Sequence, residues 1–185
     1  MEREVIVSGI GGQGIQLLAK TLALAATREG RFAMLAADYG GEMRGGPSKA
    51  SVVIGDEPLR ALPVLPSAWS AILAHHRFSE SILDRIRPGG PVVVNSKLVD
   101  ATTVRPDLIV HPIDAGAVAV EVASAQAVGF VLLGFYNAVT GMVSPEALAA
   151  AMAELLPPYR KQHVAANERA LAAGADALST VAEVA

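Results

Sequence analysis

The chain has 185 residues, of which 52% are hydrophobic and 18% charged, and its formal net charge is −3. A slightly acidic chain without a basic tail or block is a poor partner for nucleic acid. The absence of cysteine excludes disulfides and thiolate ligands for zinc or an iron–sulfur cluster. We expect residues 1–185 to form one domain, because this length supports a sizeable single core. The N-terminus lacks the apolar core of a signal peptide, so we expect a cytoplasmic protein.

The chain opens with a short apolar strand over residues 5–7, followed by a turn that contains Gly9, Gly11, Gly12 and Gly14. Apolar residues then recur at helical spacing over residues 13–28, and Gly30 supplies a stop. A strand, a glycine-rich turn and a helix are typical of the first unit of an α/β nucleotide-binding fold. Free N–H groups at the start of the helix would favour an anion. A turn that only packs tightly gives the same pattern, and both interpretations stay open here.

Further elements follow in alternation. Strands are predicted over residues 32–36, 51–54, 71–74, 91–94 and 108–110, and helices over 79–86, 147–155 and 162–173. Ser144 and Pro145 form a strong helix start, and Gly174 is expected to end the last helix. Residues 115–139 are long and apolar enough to suggest a membrane-spanning helix. Their polar residues and glycines instead favour two buried helices.

These elements predict a three-layer α/β/α fold with a Rossmann-like, mainly parallel sheet and C-terminal helices. A second glycine-rich segment, residues 39–47, follows the second strand. Since parallel sheets bind ligands at the carboxyl ends of their strands, we expect both glycine segments to lie at one edge of the sheet.

The second segment carries an arginine beside two glycines. Arg44 precedes Gly45 and Gly46, and Glu42 lies two residues before it. A guanidinium on a mobile backbone suits bidentate capture of a phosphate or carboxylate. A surface pair with Glu42 or a salt bridge to a neighbouring subunit explains the arginine equally well. The candidate binding residues of both segments are Gly11, Gly12, Gln13, Gly14, Glu42, Arg44, Gly45 and Gly46.

Other polar residues give weaker signals. Asp38 ends the second strand, where a dinucleotide fold places its ribose-binding acid, but a turn carboxylate is the commoner role. The four histidines have no ligand spacing on one helix, so no metal site is predicted. No serine nucleophile with a base is evident either, so no catalytic residue is predicted.

Three stretches together resemble the gamma subunit, or gamma domain, of the 2-oxoacid:ferredoxin oxidoreductases. They are residues 9–14, residues 39–47, and the region 137–174 with its Asn137, Ser144 and Asn167 stretches. The Glu-Met-Arg-Gly-Gly run in the second stretch is the most specific. The resemblance covers residues 5–174 and extends to the pyruvate, 2-oxoglutarate, indolepyruvate and phenylglyoxylate types. The chain departs from the pattern at Ala68-Trp69-Ser70 and His75-His76-Arg77.

The resemblance implies a hetero-oligomeric enzyme that oxidatively decarboxylates a 2-oxoacid to an acyl-CoA. Its cofactors would be thiamine diphosphate, Mg, iron–sulfur clusters and coenzyme A, none held by this chain alone. Its partners would be alpha and beta catalytic subunits, an iron–sulfur subunit, and ferredoxin or another acceptor. The gamma chain would support assembly and shape access for coenzyme A, and the isolated chain would not be catalytic. Two alternatives remain: a free-standing NAD- or FAD-binding Rossmann-like module, and a scaffold with an empty glycine loop.

Overall fold

The computed structural model describes residues 1–39, 45–60 and 64–182, and a six-stranded sheet forms its centre. The strands are Arg3–Ile10 (β1), Phe32–Tyr39 (β2), Pro47–Gly55 (β3), Ser70–Leu73 (β4), Pro91–Asn95 (β5) and Ile109–Ile113 (β6). They lie in the order β2-β3-β1-β4-β5-β6. The helices are Ile15–Arg28 (α1), Glu80–Leu83 (α2), Ala115–Val122 (α3), Val128–Thr140 (α4), Pro145–Leu155 (α5) and Val164–Ala182 (α6).

Five of the six strands run in the same direction. β1, β4, β5 and β6 pair in parallel, whereas β3 is antiparallel to both β1 and β2. A parallel pair needs a crossover of a dozen or more residues. The connection between β2 and β3, residues 40–46, is shorter than this, so β3 turns back beside β2. The predicted α/β fold with a mainly parallel sheet is confirmed, with β3 as the exception.

The central strands of the sheet are buried on both faces, but the two covering layers are unequal. Val5 and Val7 of β1 face a core formed with α1 and α3 to α6. Ile6 faces the opposite core, which is closed by α2 and by irregular segments that include Val99 and Val104. Among the described residues, one outer layer is therefore mainly α-helical, and the other contains only α2 and a 3-10 turn, Ala101–Thr103.

The apolar region after β6 forms two separate helices, as predicted, but only α4 is mostly buried; in α3 only Ala115 and Ala119 are buried and Val120 is exposed. Asp114 caps α3 by accepting a hydrogen bond from the Ala117 N–H, and α4 follows as a mostly buried helix. Among the helices of the described ranges, none is long and apolar enough to cross a membrane. Ser144 caps α5 through a hydrogen bond from the Ala147 N–H at 3.2 Å, which confirms the predicted helix start.

The prediction that Gly174 ends the last helix is wrong. α6 continues through Gly174 to Ala182, and Gly174 lies where α6 crosses α4. A Cβ atom on Gly174 would lie 2.1 Å from the Val131 carbonyl oxygen, and one on Gly134 would lie 2.0 Å from the Leu171 carbonyl oxygen. Both glycines are therefore needed for the close approach of the two helix backbones, because any side chain would collide with the facing carbonyl.

Candidate functional site

The turn between β1 and α1, Gly11–Gly14, is called the glycine turn below. Gly12 and Gly14 have φ angles of 102° and 74°, which L-residues with side chains rarely adopt. A Cβ atom on either residue would meet no atom of the described residues within 4 Å. Glycine is therefore needed here for backbone conformation, and the described residues leave the space beside the turn open.

The Gln13 side chain holds the glycine turn in place. Its Oε1 accepts a hydrogen bond from the Ile10 N–H at 2.9 Å, and its Nε2 donates to the Ala74 carbonyl at 3.4 Å. These contacts tie the turn to the carboxyl end of β4. The amide is thus engaged within the chain, and its predicted contact with a ligand stays a prediction.

The two glycine segments meet at one end of the sheet. The Gly11 N–H donates to the Gly46 carbonyl at 2.9 Å, and β1 and β3 pair Ile10 with Pro47 next to this contact. Glu42 and Arg44 lie outside the described residues, so their predicted roles remain predictions. Gly45 and Gly46 lie beside the glycine turn as expected.

A cleft of about 790 Å³ opens beside the glycine turn. Gly12, Gln13 and Gly14 form one wall, and the segment after β5 forms another through Asn95 and Lys97. The parallel strands β1, β4 and β5 all end at this edge, which is the position where open α/β sheets bind ligands.

The far wall of the cleft comes from the C-terminal helices. Arg160 and His163 lie in a 3-10 turn before α6, and Asn167 lies in the first turns of α6. None of the described residues that line the cleft is acidic. Together with Lys97, the exposed Arg160 makes the mouth positive, although Asp114 approaches Lys97 to 3.6 Å.

The start of α1 adds to this positive environment. The first turn of α1 contains no acidic residue, and Gly14 provides no side-chain cap for its N–H groups. Such N–H groups, with the positive end of the helix dipole, attract an anion. The glycine turn, the helix start and the cationic mouth together can accommodate a phosphorylated ligand.

A family model described as pyruvate ferredoxin/flavodoxin oxidoreductase matches residues 4–177. The chain belongs to this family. The 2-oxoglutarate synthase subunit KorC of Methanocaldococcus jannaschii is 32% identical over 160 residues, which are 85% of each chain.

Solved structures agree with this assignment. The gamma subunit of a keto/oxoacid ferredoxin oxidoreductase from Geobacter sulfurreducens matches with a TM-score of 0.79 and 28% identity, over 94% of this chain and 96% of that one. The 2-oxoglutarate:ferredoxin oxidoreductase of Magnetococcus marinus, solved with 2-oxoglutarate, coenzyme A and succinyl-CoA, matches with a TM-score of 0.83 and 22% identity. This match covers 95% of our chain and 31% of the other, and it shows the shared fold. The resemblance to gamma subunits, and the role as a subunit of an oxidoreductase complex that acts on 2-oxoacids, are confirmed.

Within the 2-oxoacid oxidoreductase fold, Asp38 does not occupy the position of a ribose-binding acid. β3 lies between β1 and β2, so the end of β2 is separated from the glycine turn by a whole strand. The Asp38 carboxylate instead pairs with Lys49 of β3 at 2.8 Å. This topology argues against the free-standing dinucleotide-binding alternative.

The cleft contains residues that the sequence analysis missed. Asn95 and Asn167 are both more than nine-tenths buried, and the Asn95 Oδ1 atom has no hydrogen-bond partner among the described residues. Asn95 and Lys97 could have been found, because they follow a predicted parallel strand. Nothing in the local sequence indicates that Arg160 and His163 line the same cleft as the glycine turn. In the described ranges, no three His, Asp or Glu side chains form a group that could hold a metal ion.

Proposed function

We propose that the chain is the gamma subunit of a 2-oxoacid:ferredoxin, or other acceptor, oxidoreductase, and that it borders the entry path of coenzyme A. The complex oxidatively decarboxylates a 2-oxoacid to an acyl-CoA. Alpha and beta chains hold thiamine diphosphate and Mg, which supply the chemistry of decarboxylation. An iron–sulfur subunit passes the electrons to ferredoxin or another acceptor.

The observation that carries the coenzyme A role is the open glycine turn beside a cleft with a cationic mouth. Coenzyme A is a polyanion, and the N–H groups at the start of α1 suit one of its phosphates. Arg160 and Lys97 on the other walls suit a second anionic group. The Gln13 side chain keeps the turn in the shape that leaves this space open. The relative from Magnetococcus marinus carries coenzyme A, which supports the same ligand class.

The chain itself contributes binding and assembly rather than chemistry. It has no cysteine to hold a cluster, and its sequence offers no nucleophile paired with a base. We expect the isolated chain to reduce no dye in the presence of a 2-oxoacid and coenzyme A. Activity should appear when the companion chains of the native complex are added. Turnover by the isolated chain would contradict the subunit role.

The coenzyme A role is tested with Arg44→Ala and Arg160→Ala in the assembled complex. Loss of a desolvated charge-assisted hydrogen bond costs roughly 1.5–3 kcal/mol, and less for an exposed group. Each variant should therefore raise the KM for coenzyme A, by about tenfold or more for a desolvated contact. The KM for the 2-oxoacid should stay nearly unchanged, and the effect should weaken as salt rises. Steady-state kinetics on gel-filtered complex, with each substrate varied in turn, measures both constants.

Arg28→Ala is the matched control. Arg28 lies at the opposite end of α1 from the glycine turn and pairs with Glu154 at the surface, so its removal deletes the same charge far from the cleft. Normal kinetics with a lower yield of complex for Arg44→Ala would favour the interface alternative. Unchanged coenzyme A constants in fully assembled Arg44→Ala and Arg160→Ala enzymes would favour the scaffold with an empty glycine loop.

A further inference from the structure

The cleft contains a buried amide whose acceptor atom has no partner. Asn95 lines the cleft and is only 3% exposed, and its Oδ1 atom makes no hydrogen bond among the described residues. Buried polar side-chain atoms are nearly always hydrogen-bonded, because an unpaired acceptor has lost water without gaining a partner. Gln16 Oε1 shares this property, but Gln16 does not line the cleft and its Nε2 donates to the Lys49 carbonyl at 2.9 Å. Of the two acceptors, that of Asn95 is the one next to the cleft.

The alternation of β5 directs the Asn95 side chain toward the helical layer. Val93 belongs to the core formed with α1 and α4, whereas Val92 and Val94 belong to the opposite core. Because side chains alternate between the faces of a strand, Asn95 lies on the same face as Val93. β5 ends at Asn95, so the amide lies above this core at the carboxyl edge of the sheet. The terminal torsion of asparagine is soft, and among the described residues no bond to Oδ1 holds it, so the amide can turn to meet a donor.

The lining of the cleft changes from charged at the mouth to apolar inside. The cationic residues Lys97 and Arg160 are both exposed. Asn95 and Asn167 bring buried amides to the inner part. The rest of the buried lining is mostly apolar and includes Leu18, Phe130, Leu132 and Leu156. The cleft therefore matches a ligand with an anionic outer part and an inner part that is largely apolar but carries a hydrogen-bond donor.

Coenzyme A contains one group that fits this inner part. Its thiol has to reach the thiamine diphosphate that the proposed function assigns to the catalytic chains, so its pantetheine arm has to extend out of the cleft. Its phosphates are matched by the start of α1 and by the exposed Lys97 and Arg160. The adenine remains, at the end of the ligand opposite the thiol. Its faces are apolar, and its exocyclic amine donates hydrogen bonds.

We propose that Asn95 determines the specificity of the cleft for adenine, with its Oδ1 accepting a hydrogen bond from the exocyclic amine. This inference rests on the proposed function, which supplies coenzyme A as the ligand. The contact satisfies the acceptor that the described residues leave unpaired. A site that hydrogen-bonds an N–H group of its ligand discriminates against an analogue that lacks this group, because its own polar atom then stays unpaired. A purine without the amine should therefore bind more weakly.

The test measures Kd values by isothermal titration calorimetry on the isolated chain, because the described walls of the cleft all come from this chain. The probes are ADP and purine riboside 5′-diphosphate, in which hydrogen replaces the exocyclic amine. Wild type should bind ADP about tenfold more tightly than this analogue. Asn95→Ala should bind the two within about twofold of each other, and its affinity for inorganic pyrophosphate should match wild type. Gln126→Ala is the control, because it removes an exposed amide from the same lining and should keep the preference for ADP.

The comparison of the two probes on wild type needs no variant, so a misfolded variant cannot obscure it. Failure of wild type to bind coenzyme A, ADP or pyrophosphate would overturn the proposed coenzyme A role, and with it the role of Asn95. Binding of coenzyme A with equal affinities for ADP and the analogue would overturn the role of Asn95 alone. The same conclusion follows if Asn95→Ala keeps the preference for ADP or if Gln126→Ala loses it equally, because the preference would then not depend specifically on Asn95.

Discussion

The α4–α6 crossing and the glycine turn both depend on glycine, but for opposite physical reasons. At the crossing, added Cβ atoms on Gly134 and Gly174 would lie 2.0 and 2.1 Å from facing carbonyl oxygens. At the turn, Gly12 and Gly14 have positive φ angles and open space beside them. The crossing uses glycine to bring two backbones together, and the turn uses it to shape a backbone without filling the adjacent space. Only the second kind leaves room for a ligand.

The largest effect is expected from Gly134→Ala at the crossing. Glycine to alanine in a helix normally stabilises it, but here the new methyl group would force α4 and α6 apart. We expect the free energy of unfolding to fall by about 3 kcal/mol, the upper end of the range for overpacked cores. Urea unfolding followed by circular dichroism measures this change.

Gly116→Ala is the control for that substitution. Gly116 lies in α3, and a Cβ atom there would have the Asp114 Oδ1 at 3.6 Å as its nearest neighbour, an ordinary contact. This variant should gain roughly 0.5–1 kcal/mol from helix propensity. A Gly134→Ala protein as stable as wild type would show that the crossing does not require glycine.

A smaller effect is expected from Gly12→Ala in the glycine turn. The methyl group meets no atom of the described residues, so the cost comes from the positive φ and should be about 1–2 kcal/mol. If coenzyme A lies against the turn, its KM in the assembled complex should rise about tenfold as well. Both the stability and the kinetic constant are measured on the same preparation.

Gly141→Ala isolates the contribution of the backbone conformation. Gly141 ends α4 with a φ of 59° and also has open space around its Cβ position, but it does not line the cleft. It should lose similar stability and leave the coenzyme A constant unchanged. Similar kinetic changes in both variants would mean that the turn has no specific contact with coenzyme A.

The sequence predicted the elements whose signals are local. Ser144 and Pro145 indicated the start of α5 because capping chemistry is complete within four residues. The glycine turn was predicted because a strand, glycines and a helix follow one another directly. Gly30, with a φ of 76°, follows α1 closely, as expected for a helix stop.

What the sequence could not predict depends on contacts between distant segments. Gly174 looks like a helix stop, and only the Val131 carbonyl of a different helix shows why it lies inside α6. The reversed direction of β3 follows from the short connection between β2 and β3, which the predicted strands, residues 32–36 and 51–54, did not reveal because both were predicted too short. Arg160 and the glycine turn line the same cleft although they lie far apart in the chain, which no local pattern records. The sequence analysis missed Arg160, His163 and Asn167 for this reason.

The smallest expected effect is a change in the pKa of His75, which follows Ala74 at the carboxyl end of β4. Burial lowers the pKa of His75 from its ordinary value of 6.5, and the nearby His76 and Arg77 charges lower it further. We expect NMR titration to show this lowered pKa. His76→Gln and Arg77→Ala should each raise it, with the larger change for His76→Gln because that charge has the stronger influence. His111 in β6, whose pKa is lowered by burial alone, should not respond.

The lowered His75 pKa also has a definite consequence for stability. The folded chain binds the His75 proton less tightly than the unfolded chain, so protonation favours unfolding. The contribution of neutral His75 is complete above the unfolded value of 6.5 and is lost as pH falls below it towards the folded pKa. His75→Gln should therefore lose less stability than wild type between about pH 7.5 and pH 5.5 in urea unfolding. Equal losses in the two proteins, or a His75 pKa at or above 6.5, would show that this side chain is not held in a desolvated, positive environment.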